Sequence, residues 1–323
     1  MKKTSEKIIG YLRSKRQATP ADLSTYLNIN RQATHRQISK LLQAGVIYKI
    51  GRPPKVFYLI KDPQKKKLGN MVSEGLKKLI DENYLIITPA GKREEGFQGF
   101  VYWCDKHNLP LEKTAIEYQQ TLKKYSRYRK NGLINGGYKM KHTFTEVYLD
   151  RVFYLDFYSI ERFGKTKLGQ LLLYAKQSQN RDLIRELVNQ IRPKVEDLVQ
   201  KFSVEAVGFV PPTVKRETQL MKELEKQLSL PIPTLSLVKV KTPVAVAQKT
   251  LTKLEDRIEN ARDTIIVDDS RKYKNILLID DALGSGATMN ETARKIKKQG
   301  VAKTVIGLAI TGSFSGFEII SEV

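Results

Sequence analysis

The sequence predicts an α/β protein: a parallel-sheet core in the C-terminal half, preceded by a small basic N-terminal domain and an α-rich connector. Three observations carry that expectation. Apolar runs of strand length alternate with helical patterns from 206 to 310, the order that a parallel sheet with helices on both faces requires. Within 275–300, NILLIDDALGSGATMNETARKIKKQG, a wholly apolar strand at 276–279 leads through two acids and a turn of small residues into a helix that Gly300 stops. Charge is uneven along the chain. Residues 1–67 hold 16 Lys/Arg against 3 Asp/Glu, a net of +13, whereas 205–323 hold 18 against 15, a net of +3, within a total of +23. A strongly basic end on a near-neutral body points to a nucleic-acid-binding module.

The basic end reads as three helices and a hairpin. Residues 4–16 place Ile8, Ile9 and Leu12 on one face, and Thr19-Pro20 forms a cap with proline at the first helical position of 21–27. A turn at 28–30 leads to a third helix, 31–44, ended by Gly45, with Ile38, Leu41 and Leu42 inward. Residues 46–50 and 56–60 read as strands around the basic turn 51–55. This order resembles a winged helix-turn-helix domain, assigned here to 1–67 with 61–67 as a polar linker. The resemblance implies binding of double-stranded DNA. Arg31, Gln32, Thr34, His35 and Arg36 of the third helix would face the major groove, and Arg52 and Lys55 at the hairpin tip would lie against phosphates or the minor groove.

Residues 68–135 read as the α-rich connector, with helices near 71–80, 97–107 and 112–129 and a strand at 84–88. The cluster Phe97, Phe100, Tyr102 and Trp103 is expected in a core, with Cys104 buried and inert among it. Tyr118, Tyr125 and Tyr128, with several Lys and Arg, make a basic aromatic helix open to two readings: contact with nucleic acid or packing on a neighbour. The third domain is 136–323. Within it, 143–148 and 151–157 alternate like strands, and two helices follow at 168–175 and 182–202. Core strands are expected at 206–210, 234–240, 276–279 and 304–310, with a helix at 217–228.

The chemistry follows from the central strand. Backbone N–H groups of a glycine turn opening a helix converge on one spot, and the helix dipole favours an anion there. Gly284, Ser285, Gly286, Ala287 and Thr288 supply that turn, with two hydroxyls; Asp280 and Asp281 just before it suit the vicinal hydroxyls of a ribose. No Lys follows the turn, so the P-loop pattern fails, and acids that precede the turn do not fit the dinucleotide-binding fingerprint.

This block resembles the phosphoribosyl-diphosphate (PRPP) loop of type I phosphoribosyltransferases: apolar strand, two acids, two apolar residues, two Thr/Ser, Gly, any residue, Thr/Ser. Gly284 departs from the pattern at its first hydroxyl position. From about residue 154 the order of elements resembles the ComF-type branch, where a Gln, a Leu, an Arg and an Asn recur in a flexible stretch; Gln248, Leu251, Arg257 and Asn260 match. The cysteine zinc ribbon usual in that branch has no counterpart here. The resemblance implies a phosphoribosyltransferase-like core that binds PRPP or a related nucleotide with Mg²⁺ carried by the ligand and no metal held directly by protein. Asp280 and Asp281 would hold the ribose and the developing positive charge, 284–288 the 5′-phosphate, and Lys215, Arg216 and Arg257 the pyrophosphate. It leaves three roles open: transfer of phosphoribosyl to an acceptor, a PRPP-sensing DNA-binding regulator of the purine-repressor plan, or a ComF-like accessory in DNA uptake or processing. Paired winged helices reading paired half-sites suggest a homodimer.

Composition narrows the field. No run approaches the ~20 apolar residues of a membrane span, and no signal-peptide core opens the sequence, so a cytoplasmic protein is expected. One cysteine excludes an intramolecular disulfide, and His35, His107 and His142 stand too far apart for a metal pattern.

Overall fold

The computed structural model describes residues 4–15, 17–52, 55–60, 72–212, 216–240, 246 and 248–313. The chain divides into two compact units, Met1–Ser73 and Glu74–Val323.

The first unit contains α1 (Thr4–Lys15), α2 (Pro20–Leu27), α3 (Arg31–Gln43), β1 (Ile47–Arg52) and β2 (Lys55–Ile60). Thr19 and Asp22 form a reciprocal capping box at the start of α2: the Asp22 N–H donates to Thr19 Oγ1 at 3.2 Å and the Thr19 N–H to Asp22 Oδ2 at 2.9 Å. The Thr19 N–H and the Thr19 hydroxyl, which donates to the same Oδ2 at 2.8 Å, hold the Asp22 carboxyl below its ordinary range. Asn28 ends α2 in the left-handed region, and Asn30 caps α3 by accepting from the Ala33 N–H at 2.8 Å. Ile8, Leu12, Leu23, Ile38, Leu41, Ile47 and Tyr58 pack as one core. β1 and β2 pair antiparallel from Ile47↔Ile60 to Arg52↔Lys55, and an Ala18↔Tyr58 bridge ties them to the segment before α2. The expected winged helix-turn-helix is therefore formed.

The second unit begins with α4 (Glu74–Asn83), a hairpin of β3 (Leu85–Ile87) and β4 (Arg93–Glu95), α5 (Gly96–Lys106) and α6 (Leu111–Ser126). Next come β5 (Arg129–Lys130), β6 (Leu133–Asn135), α7 (Gly137–Thr143), β7 (Arg151–Phe157), β8 (Ser159–Ile160), β9 (Gly164–Lys165), α8 (Lys167–Ser178) and α9 (Arg181–Lys201). Then β10 (Ala206–Phe209), α10 (Leu220–Leu228), β11 (Thr234–Leu235), β12 (Leu237–Lys239), α11 (Leu254–Thr264), β13 (Ile265–Val267), β14 (Tyr273–Leu283), α12 (Ala287–Lys298) and β15 (Ala302–Gly312) complete it.

One seven-stranded sheet organises the unit, in the order β11-β10-β14-β15-β7-β6-β5. The first five strands run parallel, and β6 and β5 are antiparallel additions. Leu277, Ile279, Ile306 and Leu308 share one face and pack with Leu171, Leu172, Ile184, Leu187, Ile191 and Leu224 of α8, α9 and α10. Gly307 faces the other way, where a Cβ would stand 2.4 Å from Met289 Sδ of α12. Helices thus cover both faces, and Ile276–Ile279 is fully buried, as a central parallel strand must be.

Four differences from the sequence expectations have local causes. Residues 143–148 end a helix and form a loop rather than a strand. Asn290 of α12 takes the place of a sheet neighbour, accepting from the Tyr148 N–H at 2.8 Å and donating to the Glu146 carbonyl at 2.9 Å. Residues 234–240 divide: β11 stays in the main sheet, whereas β12 leaves it to pair antiparallel with β13. Strand β7 joins the parallel core beside β15, so the core starts upstream of 206. The segment read as a connector is, from Glu74 onward, part of the same unit as the sheet, and its last residues supply β5 and β6. Its aromatic cluster is core: Phe100 lies 5.2 Å from Tyr84 and 5.3 Å from Tyr118, ring to ring. Cys104 is buried there, and burial pushes its thiol up to about 12.

Candidate functional site

The acid pair lies near the carboxyl end of the central strand, two residues short of its last residue Leu283. Ile276 to Ile279 demand burial on both faces, so Asp280 and Asp281 are the first polar side chains to emerge at the carboxyl end of β14, where ligands of open parallel sheets bind. Alternation sends them to opposite faces. Asp280 shares the α12 side with Ile276 and Leu278, and Asp281 the α8 side with Leu277 and Ile279. The Asp281 N–H donates to Asp280 Oδ1 at 2.8 Å. Burial, and then the neighbouring Asp281 charge, push the Asp280 carboxyl up to about 7, against the opposing pull of that N–H and of Lys176.

Lys176, from the last turn of α8, pairs with Asp281 through Nζ and Oδ2. Its backbone carbonyl accepts from the Arg216 guanidinium. Gln179 Oε1 accepts from the Thr218 N–H at 2.7 Å, and Gln219 Nε2 donates to the Arg216 carbonyl at 3.2 Å. The end of α8 is thereby stitched to the segment after β10, which brings the expected Arg216 one residue contact away from the acid pair. Lys215 lies outside the described residues. Nothing in the sequence around Lys176 distinguishes it from other helical lysines; only the packing of α8 on the sheet, against β15 and β7, brings its last turn to Asp281.

The turn follows at once. Gly286 sits at φ 84 as the N-cap of α12, and a Cβ there would stand 2.5 Å from Met140 Sδ of α7. Both facts demand glycine. Ser285 is buried and accepts from the Ala287 N–H at 3.3 Å, and Gly284 and Thr288 are half-buried. No side chain caps the N-terminus of α12. A second cation, this one buried, lies behind the turn. Lys139 of α7 reaches Ser313 Oγ at 2.5 Å, the Ser313 carbonyl at 3.3 Å and the Leu283 carbonyl at 3.4 Å. Nothing in the sequence around Lys139 marks it either. The arrangement places hydroxyl-accepting carboxylates, a glycine turn at a helix N-terminus and three cationic side chains at one end of the sheet.

Of the four residues that carry the ComF-type resemblance, hydrogen bonds join Gln248, Leu251 and Arg257, while the Asn260 side chain meets Lys239. Arg257 is buried and donates from Nε to the Leu251 carbonyl at 2.8 Å; Gln248 Nε2 donates to the Arg257 carbonyl at 3.0 Å; Asn260 Oδ1 accepts from Lys239 Nζ at 3.2 Å. Burial lowers the pKa of Arg257, and that of Lys239 to about 8.

On the first unit, Arg31, Gln32, His35 and Arg36 are exposed on α3, as expected, and Ser39 and Lys40 extend their surface. Thr34 is a correction: it is fully buried, and its Oγ1 donates to the Asn30 carbonyl at 3.0 Å. A short side chain that can bond back to the preceding turn fits the inward face, so Thr34 is not available to DNA. Arg52 and Lys55 lie on the paired strands, and their side chains fall outside the described residues. Among the described residues no group of three or more His, Cys, Asp and Glu could hold a metal ion, and no helix is long and apolar enough to cross a membrane.

Comparison with known proteins gives the N-terminal unit its class. Residues 1–48 match the family model described as winged helix-turn-helix DNA-binding. No curated protein matches the chain. Among solved structures, an adenine phosphoribosyltransferase from Leishmania tarentolae is similar at 15% identity and a TM-score of 0.24, over 48% of this chain and 91% of that one.

Proposed function

We propose that the second unit binds PRPP, or a related ribose 5-phosphate ligand, with Mg²⁺ brought in by the ligand, and that the first unit binds duplex DNA. The observation that carries the ligand reading is the acid pair at the end of β14, followed within five residues by the left-handed Gly286 that opens α12. Two carboxylates are too few to cage a metal, and Asp281 is already engaged by Lys176. Ribose hydroxyls suit this pair better, and Mg²⁺ would sit on the pyrophosphate oxygens. The 5′-phosphate would take the N–H groups of the turn, and Arg216 would meet the pyrophosphate.

In the phosphoribosyltransferase reading, a nitrogen acceptor attacks the anomeric carbon, the C–O bond to pyrophosphate breaks and the pyrophosphate departs. The acid pair would stabilise the positive charge that develops on the ribose. A regulatory reading, in which the same site senses PRPP without turnover, is favoured by one observation: the winged helix-turn-helix unit on the same chain. Calorimetric titration with PRPP, with and without Mg²⁺, tests the shared core of both. Binding should require Mg²⁺ and fall at least tenfold in Asp280→Asn with Asp281→Asn; undiminished affinity in the double variant overturns the reading. Pyrophosphate release on adding candidate bases then separates enzyme from sensor.

A further inference from the structure

A strongly charged surface outside these two sites lies where α6 runs into β5. Residues 123–130 read KKYSRYRK, with five cations and no acid. Lys124 is paired with Glu161 at 2.7 Å, and Arg129 with Asp156. Lys123, Arg127 and Lys130 are exposed, and among the described residues no carboxylate pairs with them. The dipole at the end of α6 accounts for cations on its last turn. It does not account for Lys130, which lies beyond the helix on the outermost strand of the sheet, nor for Tyr128.

Tyr128 is 46% exposed amid these charges. Its ring meets Phe157 edge-on at 6.2 Å, and Phe157 is buried. One side of the tyrosine is therefore held by the core while the other is offered to solvent. Beside the β5–β6 hairpin opens a cleft of about 460 Å³, lined by Asn131, Leu133, Lys194 and Lys201 among others. Lys194 is matched there by Asp197 at 3.0 Å, while Lys201 is exposed over the Phe202 ring.

We propose that this strip is a binding surface for single-stranded nucleic acid, separate from the winged helix. Lys123, Arg127 and Lys130 take backbone phosphates, and an unstacked base lies on Tyr128. A duplex would satisfy the cations but hide its base faces within the stack, whereas a single strand uses both the cations and a fixed exposed ring.

The test is fluorescence anisotropy on the full chain, with a mixed-sequence single-stranded oligonucleotide and a blunt duplex, each over a range of salt. Lys123→Gln with Arg127→Gln and Lys130→Gln should weaken single-strand binding about tenfold or more at low salt. The slope of log K against log salt should fall by about 2, since three phosphate contacts at ~0.7 each are lost. Tyr128→Ala should weaken single-strand binding about tenfold with the slope unchanged. Duplex affinity should stay the same in both variants. Lys123, Arg127 and Lys130 are exposed, so thermal unfolding of the triple variant should not move; Tyr128→Ala gives up the packing on Phe157, so its binding is compared well below its own unfolding midpoint. Unchanged single-strand binding in the triple variant overturns the proposal. Equal losses on both probes also overturn it, because they mark a general charge effect, and so does a Tyr128→Ala chain that binds the single strand as well as the parent.

Discussion

Asp280 is a carboxyl that burial and a like-charged neighbour together keep from ionising. Its pKa in the folded chain stands above its unfolded value, so between those two pH values the folded state holds a proton that the unfolded state has lost. Stability therefore declines as pH rises through that window, and the penalty is complete once Asp280 has ionised in the native state. Asp280→Asn should remove it: at pH 8 the variant should be more stable than the parent, with the difference closing near pH 4. Denaturant titrations at the two pH values measure this, and a variant less stable at pH 8 contradicts it. Ligand binding that needs the Asp280 carboxylate should strengthen as pH rises through about 7. Lys176→Met removes the charge that pulls this pKa down, so the midpoint of the binding–pH profile should move upward. A midpoint that stays in place would mean that Lys176 has no electrostatic hold on the pair.

At the scale of elements, the strand–turn–helix of β14 and α12 was legible because everything it needs is contiguous: buried strand, acids, glycine, helix. Gly286→Ala should cost about 1–3 kcal/mol, since its backbone is left-handed and Met140 fills the space a methyl group would need. It should also weaken PRPP binding by displacing the turn; normal stability with normal affinity would contradict the geometry. Lys176 and Lys139 were not legible, because they reach β14 across 105 and 144 residues of sequence and only the layering of α7 and α8 on the sheet brings them there. The loop at 143–148 alternates like a strand, yet the side chain of Asn290, far along the chain, decides its path. Thr34 shows the limit on α3. Its position among Gln32, His35 and Arg36 reads as polar surface, but the helix turns it inward. Thr34→Val should therefore alter the stability of the first unit, by about 1 kcal/mol, and leave DNA sequence preference as it is. Gln32→Ala should do the reverse. A changed preference in Thr34→Val, read by binding to a pool of randomised duplexes, would contradict the buried placement.

On the scale of the whole molecule, two units of different charge share one chain: residues 1–67 at +13, and a body whose last 119 residues carry +3. Duplex binding by the basic unit should be steeply salt-dependent, and Arg36→Ala should reduce the salt slope by about 1, as expected when one phosphate contact is lost. An unchanged slope would put that guanidinium away from the backbone. If PRPP and DNA are coupled, each must change the affinity for the other by the same factor. The central claim is that a ribose phosphate sits on the acid pair and the turn, and hydrogen–deuterium exchange with and without PRPP·Mg²⁺ tests it most directly. The prediction is ligand-induced slowing at the amides of 281–290 and in the segment from 216 to 219 that Lys176 and Gln179 hold, absent in Asp280→Asn with Asp281→Asn. Protection elsewhere, or none at 281–290 at a saturating ligand concentration, would contradict the account.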